Sequence, residues 1–171
     1  MAVSSLPERR AQAQVGGDSE QSRIQQGYAI APLPLNLNGQ DPALVGLGSY
    51  YVNAVSECAD CHAAPPQFLP GRNPFLRQPN QINTNNYLRS GWPFPAVDPT
   101  GVENPITSRN LRLEHGLPAG LTLAQFMDVM RNGTDYDHPG RLLRVMNWPI
   151  FQNMTDRDLQ AIYAHFSTLP P

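Results

Sequence analysis

A chain of 171 residues with 40% hydrophobic content can bury one core but is too short for two full domains. A formal charge of −2 excludes the strong basic field that nucleic acid or an anionic membrane surface would demand, and no apolar run approaches the roughly 20 residues of a membrane-spanning helix. Eighteen prolines and 13 glycines predict abundant loops, two cysteines are too few for a disulfide scaffold, and the twelve basic residues are all arginine, so any cationic patch is an arginine patch.

Residues 1 to about 26 are polar and include the pair Gly16-Gly17. They lack both a sustained apolar period and the apolar stretch of an export signal, which predicts a loosely attached tail with no site. Arg9-Arg10 is followed by no apolar segment and reads as solvated tail charge. Pro32 and Pro34 make residues 28–37 an extended strap, so residues 1–40 form a tail and strap ahead of one domain spanning 41–171.

Asp41-Pro42 is a helix start, because the carboxylate caps free N–H groups and proline suits the first helical position. Leu44, Leu47, Tyr51 and Val55 then share one face, and the helix is expected to run into Cys58. Gly46 and Gly48 weaken it in isolation, which predicts close approach by another element. Residues 63–105 show no useful period and are read as a long irregular excursion that needs something to wrap around. Thr122 and Gln125 form a capping box ahead of Leu123, Phe126, Val129 and Met130, with Gly133 as terminator. Thr155 and Asp158 open the last helix, whose stripe is Leu159, Ile162, Tyr163, Phe166 and Leu169. No two β-prone runs are joined by a hairpin turn, so the expected class is all-α.

Cys58-Ala59-Asp60-Cys61-His62 has the C-x-x-C-H spacing of covalent haem attachment. Two thiols one helical turn apart can each add to one vinyl group, giving two thioethers, and the adjacent imidazole lies under the iron. A thiol–disulfide pair would call for a βαβ setting, and a structural zinc site for four ligands; neither is seen in the sequence.

Together with Met146-Asn147-Trp148-Pro149, Asn153-Met154-Thr155-Asp156, Ala161-Ile162-Tyr163-Ala164 and Leu169-Pro170-Pro171, that motif resembles the class I cytochromes c. The nearest likeness is to bacterial cytochromes that are subunits or domains of membrane-associated dehydrogenases, over residues 41–171. The resemblance implies a cytochrome c-like fold of a few helices around one covalent haem c, in which the N-terminal and C-terminal helices cross. Here the crossing would pair Gly46, Gly48 and Tyr51 with Tyr163 and Phe166.

The resemblance further implies iron held by His62 and Met146. The activity that goes with it is one-electron transfer between Fe(III) and Fe(II), by a carrier rather than an enzyme. Its partners would be redox proteins such as a dehydrogenase or a terminal oxidase. Maturation of covalent haem implies the periplasm or the outer face of the cytoplasmic membrane, although no export signal is visible in the sequence. The alternative from another class is a haem catalyst or gas sensor with a labile or open sixth position, prompted by Asn147 in place of a proline after Met146. Met154 reads as a staple onto Leu159, Met127 and Met130 as core, and His115, His138 and His165 as surface or boundary residues. Trp92, Arg109, Asn110 and Trp148 are candidate donors to the propionates.

Overall fold

The chain is helical earlier than its polarity suggests. The computed structural model describes residues 19–37, 39–97, 100–103 and 105–171, and the first of these segments opens with α1 (Glu20–Ile30), capped by Ser19, whose hydroxyl accepts the Ser22 N–H at 3.2 Å. The expected tail is therefore corrected from Ser19 onward, whereas Arg9-Arg10 and Gly16-Gly17 lie outside the described residues. The strap begins only after Ile30, and its Leu33 and Leu35 pack on the core.

What fastens α1 is a backbone approach, not an apolar stripe. A Cβ on Gly27 would lie 1.9 Å from the Gly46 carbonyl oxygen of α2 (Pro42–Tyr50), and the buried Ser49 hydroxyl donates to the Gly27 carbonyl at 2.7 Å. Asp41 caps α2 through the Ala43 N–H at 2.8 Å, as its sequence predicts. Two residues past Gly46, on the opposite side of the helix, Gly48 faces the last helix, α6 (Asp156–Phe166), against the Ala161 carbonyl. Both predicted close approaches on α2 are thus present, one toward each neighbouring helix.

Past Tyr50 the helix widens into a π-helical turn, Tyr51–Val55, closed by the Ser56 N–H on the Tyr51 carbonyl at 2.8 Å. Glu57 then takes φ 51°, a left-handed conformation that ends one helix and lets α3 (Cys58–His62) start on a new axis. The expectation that α2 runs into Cys58 is corrected on that ground, and Val55, expected on the packed face, is 53% exposed.

The middle helix α4 (Leu123–Asn132) has its Thr122–Gln125 capping box and ends at Gly133 with φ 69°. A short α5 (Trp148–Phe151) precedes α6, whose Thr155–Asp158 box is complete. The core unites Val52, Tyr87, Leu88, Phe126, Met130, Leu159, Ile162 and Phe166. Phe126 meets Phe166 edge-to-face with ring centroids 6.1 Å apart. α2 packs directly on α6, though not through all the residues expected. α2 meets α6 through Gly48, Ala161 and His165, and Tyr51 donates to Asp158 at 2.6 Å, while the rings of Tyr163 and Phe166 turn toward Phe126 on α4.

The molecule is mainly helical, with six α-helices among the described residues, but not purely so. β1 (Pro93–Phe94) pairs antiparallel with β2 (Ile106–Thr107), and β3 (Leu113–Glu114) with β4 (Leu117–Pro118). The second pair is joined by His115-Gly116 at φ 50° and 80°, the positive φ values that a two-residue hairpin turn demands. The all-α expectation missed it because each strand has only two residues, too few for alternation to register. Among the described residues no helix is long and apolar enough to cross a membrane.

The described residues of the span 63–105 are irregular as predicted, with a 3-10 turn at Pro74–Leu76 and the strand β1 among them. They wrap partly around protein, since the excursion inserts Tyr87 and Leu88, both fully buried, into the core. Arg112, 2% exposed, holds it there by donating to the Tyr87 carbonyl at 2.8 Å and the Thr84 carbonyl at 2.6 Å.

His165, expected at the boundary of α6, is 0% exposed, because α6 is covered by α2 on one side and α4 on the other. Burial pushes its imidazole down to about 3. The titratable group facing it is Tyr87, 3.5 Å from Nε2, itself raised by burial and thus a neutral phenol. The unfolded histidine binds a proton below about pH 6.5 where the native one does not, so the native state loses ground as pH falls. We expect stability to decline between pH 6.5 and about 3 by up to about 1.4 kcal/mol per pH unit from this group. Thermal denaturation of His165→Gln beside the parent checks this: the variant should be less stable at pH 7 but less sensitive to acid, and equal acid slopes would contradict it.

Candidate functional site

The site starts from the left-handed Glu57, which reorients the chain so that α3 carries both cysteines and His62 within one short helix. Cys58 is partly buried and borders the core cluster, Cys61 is exposed, and both are free thiols. Desolvation pushes the Cys58 thiol up to about 12 and also raises Cys61, with Asp60 adding to the latter. This is not the electropositive setting of an activated redox thiolate.

His62 is fixed by a backbone contact. Its Nδ1 lies 2.7 Å from the Arg109 carbonyl oxygen. A carbonyl can only accept, so Nδ1 carries the hydrogen and the neutral ring keeps its lone pair on Nε2. Desolvation lowers the imidazole's proton affinity, opposed in part by that same carbonyl, so the ring is held neutral and ready to ligate. A donated Nδ1–H of this kind sets ring orientation and ligand basicity in metal-bound histidines generally.

The excursion closes back on this helix. The Ser90 N–H donates to the His62 carbonyl at 3.0 Å, Gln67 Nε2 to Asp60 Oδ1 at 2.8 Å, and the Leu111 N–H to the Leu88 carbonyl at 2.9 Å. Ser108 and Trp92 tie its return leg together through two further bonds, at 3.0 and 3.2 Å. The Arg109 carbonyl is thereby held by a frame of backbone bonds on both sides.

Met146 is partly buried and borders the same core cluster as Cys58. Its loop is pinned to the end of α4. The Leu143 N–H donates to the Gly133 carbonyl at 2.7 Å, the Trp148 indole N–H to the Leu143 carbonyl at 3.1 Å, and the Trp148 ring lies so close to Gly133 that a Cβ there would be 2.4 Å from it. Asn147 starts α5: its carbonyl accepts from Ile150 at 2.9 Å and Phe151 at 3.2 Å. Met154 also packs on the cluster that contains Leu159, and Met130 is buried within it.

The four candidate propionate donors are engaged in different ways. Arg109 gives its side chain to Asp137 at 2.6 Å and to the Ala119 carbonyl at 2.8 Å; Asn110 Oδ1 accepts the Arg112 N–H at 3.0 Å; the Trp148 indole is taken as above; Trp92 is exposed. Sequence reasoning singled out the cysteines and His62 but not the Arg109 carbonyl or the buried Arg112, since neither a backbone contact 47 residues away nor a buried arginine bonded to distant carbonyls leaves a local pattern.

Among the described residues no three His, Cys, Asp or Glu side chains gather to hold a bare metal ion. A tetrapyrrole supplies its own equatorial nitrogens and asks the protein only for axial donors. The residues fit such a group: two free thiols at the attachment spacing, an imidazole whose Nε2 is available, and a thioether bordering the same apolar cluster. Comparison with protein-family models, with curated proteins and with solved structures finds no match for this chain.

Proposed function

We infer that the chain is a c-type cytochrome and a one-electron carrier, with one haem c attached through Cys58 and Cys61. His62 and Met146 would hold its iron. Bound there, haem iron supplies reversible one-electron chemistry between Fe(III) and Fe(II). The observation that carries the reading is the 2.7 Å bond from His62 Nδ1 to the Arg109 carbonyl, which assigns the tautomer and frees Nε2 beside two unpaired cysteines.

The chain's own residues then have distinct tasks. Arg109 holds the imidazole in one orientation through its carbonyl, so little rearrangement is required of this ligand when its charge environment changes. The Gly133–Trp148 stack and the Leu143 bonds position the Met146 loop, and a thioether ligand from it would favour a higher potential than a second histidine. The apolar cluster of Val52, Leu88, Phe126 and Ile162 covers part of Cys58 and of Met146, both of which pack against it. The partners on this reading are a redox donor and acceptor, such as a dehydrogenase and a terminal oxidase, met in the periplasm or at the outer face of the cytoplasmic membrane.

The test is the visible and near-infrared spectrum in both redox states. A low-spin c-type spectrum with a sulfur-to-iron charge-transfer band in the oxidised protein is expected. A high-spin spectrum with rapid CO binding would replace the carrier by a catalyst or sensor.

A further inference from the structure

The excursion presents a surface that the carrier reading does not use. Between Cys61 and Val97 the chain has three arginines, Arg72, Arg77 and Arg89, and no acidic residue, whereas the rest carries nine arginines against fourteen acids. Charge is therefore segregated: a cationic segment is set into an otherwise acidic chain. Within it lies a surface cleft of about 460 Å³ whose lining includes Pro65, Phe68, Leu69, Phe75, Leu76 and Trp92. Phe75 is 82% exposed and Leu76 66%, far beyond what an ordinary loop leaves in water side by side.

The projecting tip is built, not frayed. Asn73 Oδ1 accepts the Phe75 N–H at 3.0 Å, Gln78 Oε1 accepts the Asn73 N–H at 3.0 Å, and Gln78 returns its own N–H to the Asn73 carbonyl at 3.3 Å. Arg77 takes φ 59° to end the turn, and Phe68 braces Phe75 edge-to-face at 6.1 Å between centroids. A non-glycine residue at positive φ costs the fold energy, so the shape is maintained against a local penalty. Arg72 and Arg77 flank the tip, both exposed, and among the described residues no carboxylate pairs with either.

Arginine and aromatic side chains around an apolar hollow are the composition of protein interface centres, and unpaired surface charge of one sign selects a partner of the other. We propose that this arginine-framed cleft is the docking surface for an acidic protein partner that inserts an apolar side chain between Phe75 and Trp92. Concavity favours a protein over a lipid surface, because a hollow is filled by a projecting side chain and not by a flat headgroup layer. Two or three arginines supply only a weak attraction toward an anionic bilayer. The proposal deepens the carrier reading and rests on it for the partner's role, since the excursion is bonded to α3 through Gln67–Asp60 and Ser90–His62 and so holds the docked protein beside the exposed Cys61.

The probe is a short peptide alternating glutamate with leucine and phenylalanine, titrated into the full-length, reduced, ¹⁵N-labelled protein beside a counterpart with lysine for every glutamate. Expected are shifts confined to the amides of residues 68–78 and the Trp92 indole, weakened at least tenfold by Arg72→Glu with Arg77→Glu, and by Phe75→Ser separately. Equal binding of the lysine peptide, a footprint elsewhere, indifference to the charge reversals, or saturable binding to phosphatidylserine-containing vesicles with no response to the peptide would each overturn the proposal. The readout is at amides and an indole, not at iron. A missing footprint on protein with an intact haem spectrum counts against docking alone, and a missing haem against the carrier reading alone.

Discussion

Gly48→Ala is expected to destabilise the fold by about 3 kcal/mol, at the upper end of the cost of overpacking a filled interface. Helix propensity alone argues for the opposite sign, since alanine is favoured over glycine by about 1 kcal/mol in a helix interior. Geometry decides between them: a Cβ on Gly48 would stand 1.9 Å from the Ala161 carbonyl oxygen and 2.4 Å from its carbon. Both contacts are backbone, so no side chain can swing away, and α2 and α6 must separate. With them would go the 2.6 Å bond from Tyr51 to Asp158 and the packing of His165. In thermal denaturation this corresponds to a fall in Tm of roughly 6 to 12 °C for a chain of this size. An unchanged or raised Tm would mean that the helices do not cross at this glycine.

Met146→Ala should leave the fold standing and abolish the ligand. The side chain is only partly buried at the edge of the core cluster, so the stability cost belongs at or below the low end of buried-methionine truncations, about 2 kcal/mol. The spectroscopic change should be complete: the oxidised protein loses its sulfur-to-iron band, becomes high-spin and binds CO rapidly. Met154→Ala is the internal comparison, because Met154 touches the same cluster but sits just ahead of the Thr155 cap. It should cost similar stability and keep the band. The reverse pattern would move the sixth ligand from Met146 to Met154.

How much of this was legible in the sequence depends on how local the physics is. Asp41, Thr122 and Thr155 cap their helices as their neighbours in sequence imply, because a cap involves residues two or three apart. Gly46 and Gly48 signalled close approach correctly, since glycine inside a helix needs a tertiary reason. The partner of Gly46, however, is Gly27 on α1, a helix whose buried positions are only Ile24 and Gly27 and which therefore has no stripe to recognise. His165 was misplaced because a single apolar stripe was read on α6, whereas the helix is covered on two sides. The hairpin had a signal in His115-Gly116, but strands of two residues give periodicity nothing to act on. At the site, the cysteine and histidine spacing is local and was read directly. The Arg109 carbonyl that orients His62 is a backbone atom brought in by the return of the excursion, and no side-chain pattern encodes it.

The central claim is covalent, so mass decides it most directly. Protein matured in cells competent to attach haem should weigh its polypeptide plus one haem by intact mass spectrometry, and its colour should stay with the protein through acid-acetone extraction. Cys58→Ser combined with Cys61→Ser should lose both the added mass and the retained colour. Parent protein from the same cells with the mass of the bare polypeptide would contradict the account.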